Sequence, residues 1–238
     1  MRTLAILPVK SFGAAKQRLS EMLGQGAREA LAQAMFSDVL GSLRRVKGLD
    51  AIAVVTGDAR AESAARGGRV LVLRDRDQTG QSDATMIGIR HALEGSFDRA
   101  LLVPGDTPML DPLEVDGMLT RASSERLEAV IVPDRAGTGT NALLLQPPDA
   151  FDPSFGPGSF ERHVDAASGA GIRFRVERVR SLMHDVDTPG DLADLGVLLG
   201  ERRGVAPRTR GALHQLDRSS AHGPDGRRRA VLPTAAAI

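Results

Sequence analysis

The chain has 238 residues, 42% of them hydrophobic, with 31 Lys and Arg against 30 Asp and Glu for a formal net charge of +1. These are ordinary values for a globular chain long enough to bury a full core. Cys, Trp and Tyr are absent and Phe occurs seven times. This excludes disulfides, thiolate nucleophiles and Cys-ligated zinc, argues against base-stacking nucleic-acid modules, and fits a reducing cytoplasm. No apolar run approaches the roughly 18 residues of a bilayer crossing, and the short N-terminal apolar run does not read as a secretory signal, so no membrane partner is expected.

The first element is an apolar strand, Thr3–Val9, which runs into a loop carrying Lys10, Gly13, Lys16 and Arg18. A buried strand that delivers backbone N–H groups and cations to one place suits a polyanion at its carboxyl end. Lys16 and Arg18 are placed to splay around a triphosphate, with the amides of residues 11–15 completing a cradle; a basic surface loop is the plainer reading. No G-x-x-x-x-G-K-[ST] occurs in the chain, so a P-loop is not the source. Leu31, Met35, Val39, Leu43 and Val46 recur at helical spacing, with Gly24 ending a short helix before them and Gly48 ending this one.

Further strands are expected at Ala51–Thr56, 69–73, 100–104, Ala129–Pro133 and 142–146, with helices over 86–93 and 113–119. The near-continuous apolar character of these strands suits a sheet covered on both faces. Residues 172–179 alternate instead, as a strand of a mixed sheet or an edge strand does. Three loops between these elements hold candidate chemistry. After the strand at 100–104, Pro104-Gly105 turns the chain and aims Asp106 past the strand's carboxyl end, where a hard carboxylate suits Mg²⁺. Gly137 and Gly139 alternate with Thr138 and Thr140 ahead of Asn141, a setting for a small carboxylate or phosphate. Gly156 and Gly158 precede Ser159, placed to cap a helix with an anion-accepting N-terminus.

Near the end, Asp185 and Asp187 fall two apart, on one side of the chain if it is extended. Thr188, Pro189 and Asp191 then read as cap, first helical residue and capping-box acid of a helix reaching Leu199. Residues 201–238 hold eight Arg and three acids, leaving the first 200 residues at a net charge of −4. The folded domain is therefore expected over 1–200, with 201–238 a basic, flexible tail. The alternation of strands and helices predicts a three-layer α/β/α domain with a mostly parallel mixed sheet.

Five segments occur in order, PVKSFGAAKQRLS, PGDTPML, GTGTNALL, FGPGSFERHVDAA and DVDTPGDL, within residues 4–199. Together they resemble the guanylyltransferases of coenzyme F420 biosynthesis, which join GMP to 2-phospho-L-lactate, phosphoenolpyruvate or 3-phosphoglycerate. The resemblance implies a nucleotide-diphospho-sugar-transferase-like fold and GTP as nucleotide. It implies Mg²⁺ held by Asp106 and Asp187, and catalytic roles for Lys16, Arg18 and Asp106. Pro8, Lys10, Lys16 and Arg18 would bind the nucleotide, and Thr140, Gly156 and Ser159 the phosphorylated three-carbon acid. A downstream F420-pathway transferase becomes a candidate partner, a homodimer is allowed, and nucleic acid is not expected. The family's Leu-Asn pair is replaced here by Ala84-Thr85, which bears on the acceptor and base contacts.

Two other readings compete. A sibling nucleotidyltransferase, of the molybdopterin guanylyl- or cytidylyltransferase kind, would carry a more glycine-rich first loop. A non-catalytic nucleotide-binding interaction protein would have no reason to retain both Asp106 and Asp187.

Overall fold

The computed structural model describes residues 1–66, 70–77 and 80–221. Seven strands form one sheet: β1 (Thr3–Val9), β2 (Ala51–Thr56), β3 (Val70–Arg74), β4 (Arg99–Leu102), β5 (Ala129–Pro133), β6 (Thr140–Leu145) and β7 (Phe174–Val176). Their order is β3-β2-β1-β4-β6-β5-β7. All neighbouring pairs are parallel except those made by β6, which runs antiparallel between β4 and β5. The expected mostly parallel mixed sheet is therefore what forms. The sequence reading placed β3 one residue early, and Arg69 lies outside the described residues.

Side-chain alternation along the strands divides the core in two. Ala5, Leu7, Ile52, Val54, Leu101 and Val130 face α1 (Gln25–Leu43), α2 (Ala59–Ala65) and α4 (Pro112–Ser124). Leu4, Ile6, Ala53, Val55, Leu102 and Ile131 face α3 (Gln81–Glu94) and α5 (Ser159–Gly169). A third cluster joins the outer side of α1, at Leu31 and Met35, to α6 (Pro189–Glu201) through Leu192, Leu195 and Leu199. The α6 start carries the expected capping box, with Thr188 and Asp191 exchanging side-chain and backbone hydrogen bonds.

Three expectations change. Gly48 does not end α1, which stops at Leu43 with Arg44 as its C-cap. Gly24 does not close a helix: the segment before it is two 3₁₀ turns, Phe12–Ala14 and Gln17–Leu19, and Gly24 instead precedes the first turn of α1. The chain also stays ordered past residue 200. Pro207–Ala221 form α7, whose Leu213, with Ala206 just before the helix, joins the cluster shared by α1 and α6. Its first turn is satisfied from α1, where the buried Asp38 carboxylate accepts from the Arg208 and Thr209 amides and from the Thr209 hydroxyl. Arg210 donates to the carbonyls of Leu199 and Arg202 at the end of α6, so one cation of the supposed appendage caps a helix. Residues 222–238 lie outside the described residues.

Candidate active site

The chain proceeds from β1 to β2 and β3 on one side of the sheet and to β4 on the other, so its direction reverses between β1 and β4. A crevice beyond the carboxyl ends of the two strands at such a switch point is where open α/β sheets bind ligands. Lys16 follows β1 and Asp106 follows β4. The antiparallel β6 contributes from its amino end: Leu143 pairs with Leu102, so Thr140 and Asn141 project past the end of β4. Asp185 and Asp187 arrive on the segment before α6.

The Lys16 ammonium sits between two carboxylates, 2.5 Å from Asp106 Oδ2 and 2.9 Å from Asp187 Oδ1. Its side chain is only 6% exposed. Burial alone would lower its pKa, but the charges and hydrogen bonds of Asp106 and Asp187 prevail and raise it to about 12. The backbone of Lys16 is left-handed, φ 56° and ψ 40°, whereas Gly13 in the same loop has no positive φ. The glycine that drew notice in the sequence is thus not the residue that bends the loop.

The loop is tied down by Asp58, which sequence reading did not single out. Its Oδ2 accepts from the Phe12 amide at 2.9 Å and from the Ser11 hydroxyl, while its Oδ1 caps α2 through the amides of Arg60 and Ala61. Burial works to raise the Asp58 pKa, yet these backbone donors hold it below the usual carboxylate value. The Ala14 and Ala15 amides bond to the carbonyls of Ser11 and Phe12. With Phe12, three of the five amides expected to cradle a phosphate are therefore already engaged.

Two chambers meet at the Lys16 junction. The first, about 300 Å³, is lined by Pro8, Lys10, Phe12, Lys16, Phe36, Asp75 and Ala84 among others. The second, about 460 Å³, is lined by Arg18, Asp134, Thr140, Asn141, Gly156, Ser159 and Asp185. Gln81, Pro104, Asp106 and Asp187 belong to both walls. Of the residues singled out from sequence, Pro8, Lys10 and Lys16 gather in the first chamber, and Thr140, Gly156 and Ser159 in the second. Arg18 does not accompany Lys16: the left-handed turn at Lys16 sends it to the second chamber. Ala84 lines the first chamber and Thr85 is fully buried, its hydroxyl bonded to the Gln81 carbonyl. The departure from the family's Leu-Asn pair thus falls on the first chamber.

The second chamber is shaped by short-range ties. Asp134 accepts from the Thr138 and Gly139 amides, and a Cβ at Gly139 would come within 2.7 Å of Asp134 Oδ2. Gly156 at φ +112° and Gly158 at φ +72° take conformations that side chains resist. Arg162 pins this loop by donating to the carbonyls of Ser154 and Pro157. Asn141 donates to Asp185 at 3.0 Å; burial, together with the negative charge of Asp106, still pushes Asp185 up to about 6.

This architecture is the fold of the nucleotide-diphospho-sugar transferases and cytidylyltransferases. A nucleotide-diphospho-sugar transferase assigned in Desulfovibrio desulfuricans G20 superposes with a TM-score of 0.71 at 20% identity, over 92% of this chain and 98% of that one. CMP:2-keto-3-deoxy-manno-octonic acid synthetase, complexed with CTP, gives 0.58 at 16% identity over 84% and 99%. The family model "Guanylyl transferase CofC like" matches residues 3–231, and the chain belongs to that family of guanylyltransferase enzymes. A phosphoenolpyruvate guanylyltransferase of Conexibacter woesei is 47% identical over 220 residues, 92% of this chain and 99% of the relative. A 2-phospho-L-lactate guanylyltransferase of Methanothermobacter thermautotrophicus is 35% identical over 84% and 86%.

Proposed function

We propose that this guanylyltransferase moves GMP from GTP onto the phosphate of a three-carbon phospho-acid, with release of pyrophosphate, as a step of coenzyme F420 biosynthesis. Phosphoenolpyruvate is the favoured acceptor, in keeping with the 47% identical relative of that name. The observation that carries the reading is the meeting of two chambers at one buried Lys–Asp–Asp cluster. Such a junction suits transfer of a group from a ligand in one chamber to a ligand in the other.

Charge balance bears on the cofactor. Among the described residues four Asp line the second chamber and Arg18 is its one lining cation, an unfavourable host for a trianionic acid unless further positive charge enters. Asp106 Oδ1 is buried and has no hydrogen-bond partner, and a carboxylate oxygen of that kind fits a hard divalent ion. Asp106 and Asp187 would hold Mg²⁺, which would supply positive charge to offset the negative charge of the phosphates. No cluster of three or more His, Cys, Asp or Glu suited to a metal occurs among the described residues, and Mg²⁺ is commonly held by one or two carboxylates with water and substrate phosphates.

The chain's own residues do the rest by placement. Lys16 keeps its charge throughout the physiological range, so it serves as a fixed cation for the triphosphate rather than as a proton donor. An acceptor phosphate with a second pKa of about 6 is already largely ionised at neutral pH, and needs no general base. Pro8 and Lys10 border the nucleotide. Arg18, with Thr140, Gly156 and Ser159, faces the acid. The product's mixed diphosphate would pass to the next transferase of the pathway.

The reading is tested by incubating the protein and Mg²⁺ with GTP and each of phosphoenolpyruvate, 3-phosphoglycerate and 2-phospho-L-lactate while pyrophosphate is measured. Pyrophosphate should appear with GTP and at least one acid. Release with ATP or CTP but not with GTP overturns the assignment of the base.

A further inference from the structure

His163 is completely buried between the second chamber and the rings of Phe151 and Phe155, with centroids 6.0 and 5.1 Å away. Its Nε2 lies 2.9 Å from the backbone nitrogen of Ser154. A backbone N–H can only donate, so Nε2 must be the unprotonated nitrogen. Burial first, and the neighbouring Arg162 charge second, lower the His163 pKa to about 4 and keep the ring neutral. A neutral ring with a bare Nε2 carries its proton on Nδ1, which is 2.8 Å from Thr140 Oγ1. The Thr140 hydroxyl therefore accepts from His163, and its own proton is left for something else. Among the described residues no other protein group pairs with that hydroxyl.

Ser159 is arranged alike, its Oγ accepting from the Thr140 amide at 3.0 Å. We propose that His163 is a positioning residue that fixes the polarity of the acceptor chamber, holding the Thr140 hydroxyl as a donor toward the anionic acid. The opposite tautomer would turn a lone pair toward a carboxylate or phosphate and repel it. Losing a protein hydroxyl's donation to a charged group should weaken affinity for the acid by roughly tenfold to 150-fold. The inference rests on the acceptor reading above only for the identity of the ligand. The tautomer is a property of the protein itself.

Two measurements separate these layers. Long-range ¹H–¹⁵N correlation spectra of protein labelled at His, assigned by comparison with His163→Asn, should show a neutral ring protonated at Nδ1 at pH 7. An Nε2–H tautomer or an imidazolium overturns the proposal whatever the substrate. In kinetics, His163→Leu should raise the KM for the acid about tenfold or more and leave the KM for GTP within about twofold. His163→Asn, whose amide can still donate to Thr140, should recover most of that loss, while His163→Gln, which can only replace the bond to Ser154, should not. In a Thr140→Val background His163→Leu should have no further effect on the acid. Additive losses, or equal losses for GTP and the acid, would mean that His163 merely supports the fold. A wild-type protein that takes none of the acids sinks the functional reading and leaves the spectrum to decide the tautomer.

Discussion

Lys16 holds a left-handed backbone that costs a non-glycine residue about 1–2 kcal/mol, and strain of this kind persists where surrounding contacts enforce it. Here the enforcing contacts are the two carboxylates on its ammonium. Asp106→Asn or Asp187→Asn should each leave below a tenth of wild-type turnover with an unchanged circular dichroism spectrum; retention of more than that would exclude the proposed metal role. His163 gives a second prediction at this scale, with a definite sign. Its proton is bound more weakly in the fold, at about 4, than at about 6.5 in the unfolded chain. Its contribution to stability is thus complete above pH 6.5 and erodes as the pH falls toward 4, by up to about 3 kcal/mol. The difference in unfolding free energy between wild type and His163→Asn, followed from pH 7 to pH 4, should narrow over that window. A flat difference would show that the ring is not held neutral by the fold.

At the scale of elements, α3 approaches β1 closely enough that a Cβ on Gly88 would lie 2.4 Å from Ile6 Cγ2. Ile6 is fully buried in the sheet, so neither partner can yield freely. Gly88→Ala should lower stability by about 1–3 kcal/mol in urea unfolding, and in an Ile6→Ala background most of that increment should vanish. Additivity of the two would place the strain elsewhere. The docking of α7 offers a second case. Asp38→Ala removes three acceptor contacts at the start of that helix and should cost about 1–2 kcal/mol, with hydrogen exchange accelerating in 207–221 and little in the sheet. Exchange unchanged in α7 would show that its apolar contacts suffice.

Across the whole molecule, the site is a consequence of sheet topology. The reversal between β1 and β4 opens the crevice, and the antiparallel β6 brings Thr140 and Asn141 to the same edge as Lys16 and Asp106. Because the two chambers share only four lining residues among those described, their ligands should be separable. Thr140→Val should raise the KM for the acid about tenfold while GTP binding, measured by calorimetry without acid, stays within twofold. A parallel loss of GTP affinity would mean that the chambers act as one. No helix among the described residues is long and apolar enough to cross a membrane.

Much of this was readable from local pattern, because strand hydrophobicity, the Thr188 capping box and the Pro104-Gly105-Asp106 turn are set by residues close together in sequence. Thr3–Val9, Ala51–Thr56 and Ala129–Pro133 were legible to the residue, and the candidate site residues were legible as types of side chain. Contacts between distant segments were not. Asp58 anchors a loop 46 residues away, Asp38 begins a helix 171 residues away, and the direction of β6 leaves no mark on its own apolar run. The sequence by itself determined which side chains could carry charge, the bounds of β1, β2 and β5, and the capped start of α6. Only the tertiary structure decided that Arg18 turns away from Lys16, that α7 docks rather than trails, and that His163 addresses Thr140. The first follows the left-handed turn at Lys16, and the other two depend on which far-off donor or acceptor the fold brings within about 3 Å, a distance at which hydrogen bonds act and over which local pattern has no hold.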